Sequence, residues 1–320
     1  MTYSAGNTIV DDDYNIFATG NAAGTGDQSV ANINSILGTG SGIFGYGQTG
    51  GVASVAAGDR IDAADWTTLL TRNATLASHQ GTSITSITNP SVGNTIEAYA
   101  ALSANITATY NGKLNAAASG SDSSVSSVTT TAWNTSAVLT KTFTFASRNQ
   151  LRYFFNAGGL IRLSWSRSGG TGSSQNTSWT NTLTAAGTIV ISGAGTSKTI
   201  AGVAYTGITK IGGSGTTRTL LTGTGVLSPI ASTPQLLYDQ IPPSGYGDNE
   251  IQVLGSIPAD GTVLTLKTDL SDDYTPPDPG SPDLVNGTLT QVSTIRFPSS
   301  THLTASWGSV TQNSPSWVQS

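Results

Sequence analysis

Two histidines, sixteen aspartates, two glutamates and no cysteine are the groups with which this chain could do acid–base, thiolate or metal chemistry. His79 and His302 stand far apart, and neither falls in a metal-ligand pattern. Asp11-Asp12-Asp13 and the group Asp269, Asp272 and Asp273 offer oxygen ligands of the kind Ca²⁺ prefers. Both lack the alternating carboxylates, central glycine and closing glutamate of a calcium loop, so they read as solvated acidic loops or caps for backbone N–H groups. A glycosidase needs two carboxylates converging across a cleft, and nothing in the spacing singles out a pair. The glycine-dense GSGIFGYGQTGG has only a superficial likeness to a phosphate-cradling loop, because no Lys-Ser/Thr follows it. The expectation is a protein with no catalytic residue, no cofactor and no metal.

The densest chemistry lies in Asn149 to Arg167, NQLRYFFNAGGLIRLSWSR, which holds three of the eight arginines together with Tyr153, Phe154, Phe155 and Trp165. With Arg148 just before it, the segment presents four guanidiniums. Arg148, Arg152, Arg162 and Arg167 could grip an anionic sugar or phosphate. Arginine stems more commonly cover aromatic rings while their heads pair across an interface, so these four are candidate subunit-interface residues. Trp307 and Trp317 could stack on sugar rings and are candidates for glycan stacking, although aromatics in strands belong to the core by default.

Those residues must be positioned by elements of two kinds. Up to about residue 118 the periodicity is helical. Asp27 to Leu37 places Val30, Ile33, Ile36 and Leu37 at helical spacing, and Asp62 caps a helix carrying Trp66, Leu69, Leu70, Asn73 and Leu76 until Gly81 stops it. A third helix runs from about Thr95 to Ala117 on Ile96, Tyr99, Leu102, Ile106, Tyr110 and Leu114. Ser119 to Ser127, SGSDSSVSS, has almost nothing to bury and reads as a linker over 119–130. Beyond it the period becomes two. Strands are expected at Val138–Phe145, Leu160–Trp165, Gly187–Ser192, Thr216–Thr222, Glu250–Leu254, Val263–Asp269, Leu289–Phe297 and His302–Trp307, with a short helix or turn over Arg148 to Asn156. The Pro-rich Asp272–Asp283 reads as a surface loop. The fold class is α+β: an N-terminal helical attachment region (1–118), then an antiparallel, sandwich-like domain (131–320).

Composition narrows the function. Only 10 % of residues are charged, and 49 Thr, 41 Ser and 38 Gly dominate, so solubility rests on hydroxyls and amides. The net charge is −5, and up to Gly112 eight acids face only Arg60 and Arg72, which argues against nucleic acid as a partner. No run of about 18 apolar residues is present to insert in a membrane. The N-terminus lacks a signal peptide's basic start and apolar core. A protein of this size that faced the outside without disulfides would need oligomerisation or extensive sheet burial for its robustness.

Arg152–Ser166, RYFFNAGGLIRLSWS, and Gln175–Gly193, QNTSWTNTLTAAGTIVISG, resemble a set of tailed-bacteriophage virion structural proteins of cyanophage and myophage type. Phe143–Phe145 before the motif, Asn176, Trp179 and Leu183 within its second part, and Asp283–Arg296, DLVNGTLTQVSTIR, extend the likeness. So do Asp13-Tyr14-Asn15, Leu37–Gln48, Ile61–Leu70 and His79-Gln80, while Gly193–Gly225 matches nothing in the family. The resemblance implies a homo-oligomeric, commonly trimeric, fibre or appendage subunit located in the virion at the tail or neck. Its partners would be copies of itself and other proteins of the tail, neck or baseplate. A receptor-binding adhesin for host surface glycan and a capsid decoration protein are the alternatives.

Overall fold

The computed structural model describes residues 10–91, 99–227, 230–243, 245–273 and 284–320. The chain opens with α1 (Asp11–Thr19), whose first turn carries Asp11, Asp12 and Asp13 against the positive end of the helix dipole. Gly20 ends it in the left-handed conformation. α2 is only Ile33–Leu37, shorter than the helix expected from Asp27. The Asp27 carboxylate accepts from the Ser29 N–H at 2.8 Å, and the Asn32 amide donates to the Asp27 and Val30 carbonyls at 2.8 Å. These local side-chain bonds compete with helical ones and delay the start to Asn32. α3 (Ala63–Gln80) follows the expected bounds, with Asp65 accepting from the Asp62 N–H at 2.8 Å and Gly81 left-handed at its end. α4 (Tyr99–Asn111) stops at Gly112, short of the expected Ala117; its proposed start at residues 95–98 lies outside the described residues.

These helices pack through Tyr14, Phe17 and Trp66, the two smaller rings meeting the indole edge-on at 5.8 and 6.4 Å. Polar bonds complete the layer. Thr109 of α4 donates to Asn73 of α3 at 2.8 Å, and Asn105 both donates to and accepts from the backbone of Thr85 at 2.8 Å. The same two-way clamp joins Asn15 to Val55 and Asn34 to Val52. Each carboxamide satisfies one backbone N–H and one carbonyl of a non-repetitive segment, as a neighbouring strand would.

The supposed linker is β1 (Ser119–Thr129), an edge strand paired with a strand far along the chain. Next come β2 (Ser136–Thr144), α5 (Arg148–Asn156), β3 (Leu160–Ser168) and α6 (Ser174–Ala186). β4 (Thr188–Ile191), β5 (Lys198–Ile200), β6 (Val203–Tyr205), β7 (Ile208–Ile211) and β8 (Thr217–Leu220) are short. β9 (Gln235–Gln240), β10 (Glu250–Ser256), β11 (Val263–Ser271) and β12 (Thr288–Pro298) complete the sheets, with β13 (Thr311–Gln312) and β14 (Val318–Gln319) in the tail. One antiparallel sheet runs β1-β12-β3-β4-β7; the other runs β13-β2-β11-β10-β9-β8 with β14 also on β2. Alternating burial along β2, β11 and β12 marks the inward faces of a sandwich. The segment His302–Trp307, expected as a strand, is a turn-rich loop instead.

α6 bridges the sheets, packing against β3 of one and β9 and β10 of the other. The tail straps the opposite edge. While β13 and β14 pair with β2, Gln312 and Trp317 donate to the Ser123 and Ser127 carbonyls of β1 at 3.1 Å, and Gln319 donates to Thr129 Oγ1 at 2.7 Å. Helical layer and sandwich share one buried core running from Tyr14 to Trp317.

Asn34→Asp keeps the acceptor of its clamp but loses the donor, setting a carboxylate against the Val52 carbonyl. It should lower the free energy of unfolding by ~2 kcal/mol in urea titration; a change under ~0.5 kcal/mol would deny the clamp any weight.

Candidate functional site

α5 begins at Ser147, whose hydroxyl accepts from the Gln150 N–H at 3.2 Å. Its inner face inserts Phe154 and Phe155 among Phe145 and Phe297, in edge-on or tilted contacts of 5.0–6.1 Å between centroids. Its other face holds the glycine-dense loop of the helical layer. Arg152 donates to the carbonyls of Thr39 at 2.6 Å and Phe44 at 3.3 Å, and Asn156 donates to those of Gly42, Phe44 and Gly45 at 3.0–3.3 Å. The Tyr153 ring abuts Gly47, where a Cβ would meet it at 2.3 Å; φ of +68° there also favours glycine.

The four arginines therefore part company. Arg152 is 8 % exposed and spent on the chain's own loop, so it is removed from the candidate interface set. Arg167 donates to the Asn176 and Asn286 carbonyls and to Thr180 Oγ1, tying α6 to the start of β12, and is likewise internal. Arg148 is exposed, with one long bond of 3.4 Å to the Ala259 carbonyl. Arg162 points outward from β3 toward Asp122 at 3.9 Å. Asp122 itself is gripped by Arg296 through two bonds of 2.8 and 2.9 Å, which hold its carboxyl below the usual value, with Arg162 contributing least.

The glycan-stacking candidates are overturned as such. Trp307 is 3 % and Trp317 6 % exposed, so neither offers a ring face to a sugar; Trp317 instead secures the β1 edge. Of the acidic groups, Asp269 pairs with Lys267 at 2.7 Å, Asp273 accepts from Ser271, and Asp272 is buried, accepting from Gln175 at 2.5 and 2.6 Å and from the Trp179 indole at 3.4 Å. That makes Asp272 a packing residue rather than part of a surface loop; 274–283 lie outside the described residues. Asp13 is buried with both carboxylate oxygens lacking a hydrogen-bond partner. Among the described residues no three His, Cys, Asp or Glu side chains are grouped to hold a metal ion.

Asn176 and Trp179, singled out by their unusual spacing, sit on α6. Asn176 exchanges side-chain and backbone bonds with Asn286 at 2.9–3.0 Å, and Trp179 meets Trp133 edge-on at 4.8 Å. The sequence reading missed α6 and also the network of carboxamides. The signal for α6 was present in Gln175, Trp179, Thr182, Leu183 and Ala186, spaced as one helical face.

His79 lies where helical layer and sandwich meet, against the Tyr46 ring at 5.1 Å, with Nε2 unpartnered. Burial pushes its pKa down to about 4, opposed by a hydrogen bond with the Ala157 backbone and reinforced by His302. The unfolded imidazole takes up its proton first, so stability is full above pH ~6.5 and falls toward about 4, by no more than ~3 kcal/mol. His79→Gln should flatten that part of the stability–pH curve; a slope as steep as that of the wild type would place its origin elsewhere.

Comparison of the chain with protein-family models, with curated proteins and with solved structures finds no match to any of them.

Proposed function

We propose that this chain is a structural subunit of a bacteriophage particle, a homo-oligomeric fibre or appendage of the tail or neck, acting by assembly rather than by chemistry. One observation carries the reading. Apart from Arg162, the unusual polar and indole residues that carry the resemblance to virion structural proteins are employed in holding the subunit together: Arg152 and Asn156 on the glycine loop, Asn176 and Trp179 under α6. A likeness concentrated in scaffold residues supports a common architecture whose task is to be rigid. The surface fits the same task. β1 is eleven residues long and exposed along most of its length; the tail already holds the Ser123 and Ser127 carbonyls of its edge, and its outward side chains remain for a neighbouring copy to cover. With few ions at the surface, large contacts form without stripping many charges of water.

Native mass spectrometry of the full chain at micromolar concentration should show a closed oligomer, a trimer foremost. A monomer at all concentrations would remove self-assembly from the reading. Counting copies in purified particles separates the positions: roughly six to eighteen fit a neck, baseplate or fibre, and hundreds would move the protein to the capsid surface as a decoration.

A further inference from the structure

The outer face of the five-stranded sheet carries two guanidiniums and one carboxylate. Register places Ser124, Thr294 and Arg162 in one row across β1, β12 and β3, and Asp122 and Arg296 in the next. Arg296 takes both oxygens of Asp122. Arg162 is left with a 3.9 Å contact to the same carboxylate, makes no hydrogen bond among the described residues, and has its Nε shielded from solvent without a partner. This is the one arginine of the aromatic island that the fold does not use. Half-buried Arg is costly to leave without an acceptor, and a second planar oxyanion is what the geometry lacks.

The surroundings narrow the ligand. Ser124 and Thr294 share a hydroxyl bond of 2.8 Å, and Ser126 and Ser164 follow in the next row. Hydroxyls that both donate and accept match the hydroxyls of a sugar, whereas a bare phosphate ion would leave most of them unused.

We propose that Arg162, with Arg296 behind it, binds the carboxylate of an acidic glycan, with the Ser/Thr rows contacting its sugar hydroxyls. The site goes beyond the assembly reading and does not depend on it, since a monomer would retain it.

The probe is a galacturonic acid oligomer, titrated by calorimetry into the intact chain, with its methyl ester as the uncharged control. The acid should bind and the ester should not, and added salt should weaken binding. Arg162→Gln, which breaks no hydrogen bond of the fold, should weaken it at least tenfold. Asp122→Asn removes the competing carboxylate and should tighten it several-fold, an increase that a purely structural role would not produce. Equal binding of acid and ester, no binding of the acid by the wild type, or unchanged affinity in Arg162→Gln would each overturn the proposal. Self-association lost in Arg162→Gln without any glycan binding would also overturn it, by assigning the guanidinium to a second copy of the chain.

Discussion

A carboxamide that gives one hydrogen bond to a backbone carbonyl and takes one from an N–H of the same segment is the interaction on which this structure rests. With only 10 % charged residues, ion pairs are scarce, and long stretches between the helices have no strand partner of their own. Their buried backbone groups must still be satisfied. Asn15, Asn34 and Asn105 do this within the helical layer, and Gln48 does it between that layer and the sandwich by donating to the Thr304 carbonyl at 2.9 Å and accepting from its N–H at 2.7 Å. Each such bond is worth ~1 kcal/mol net. Their larger effect is positional, because a planar amide accepts only one relative placement of the two segments.

That explains how much could be read from the chain and where reading stopped. α3 was legible because a capped start, a three-four apolar stripe and a terminal glycine agree. β2, β3, β10, β11 and β12 were legible because alternation follows from having one buried face. β1 was not, since a strand of Ser, Gly and Asp is specified by its neighbours rather than by its own side chains. α6 hid behind residues of poor helical propensity, whose hydroxyls are quietened by bonds back to the carbonyls four residues earlier, as Thr180, Thr182 and Thr184 show. At the candidate sites, residue type foretold the chemistry but not the direction of the side chain. Four arginines looked alike in sequence; the fold turns two inward and two outward.

The sandwich interior shows the same preference for polar positioning. Lys141 is fully buried on β2 with its ammonium on the Asn313 carbonyl, and burial pulls its pKa down to about 8. β12 of the facing sheet contributes Gln291, which accepts from the Trp165 indole, and Ser293, which donates to Gln312. A hydrocarbon layer would serve stability at least as well. What these groups add is register: β12 slipped by one residue would strand Gln291 and Ser293 on the solvent face and bury Thr290 and Val292 in their place.

The position of β12 between β1 and β3 has a temporal consequence. Ser124 and its cross-strand partner Thr294 are 170 residues apart, so at ~5–20 residues per second the ribosome takes roughly 10–30 s to supply the second after the first. Throughout that interval β1 lacks its ladder partner, and neither the β1–β12 nor the β12–β3 seam of its sheet can close. A serine- and glycine-rich strand is well suited to waiting. Its few apolar side chains give other unfinished chains little to seize, so the composition that made β1 invisible as a strand also makes it a poor seed for aggregation while it waits.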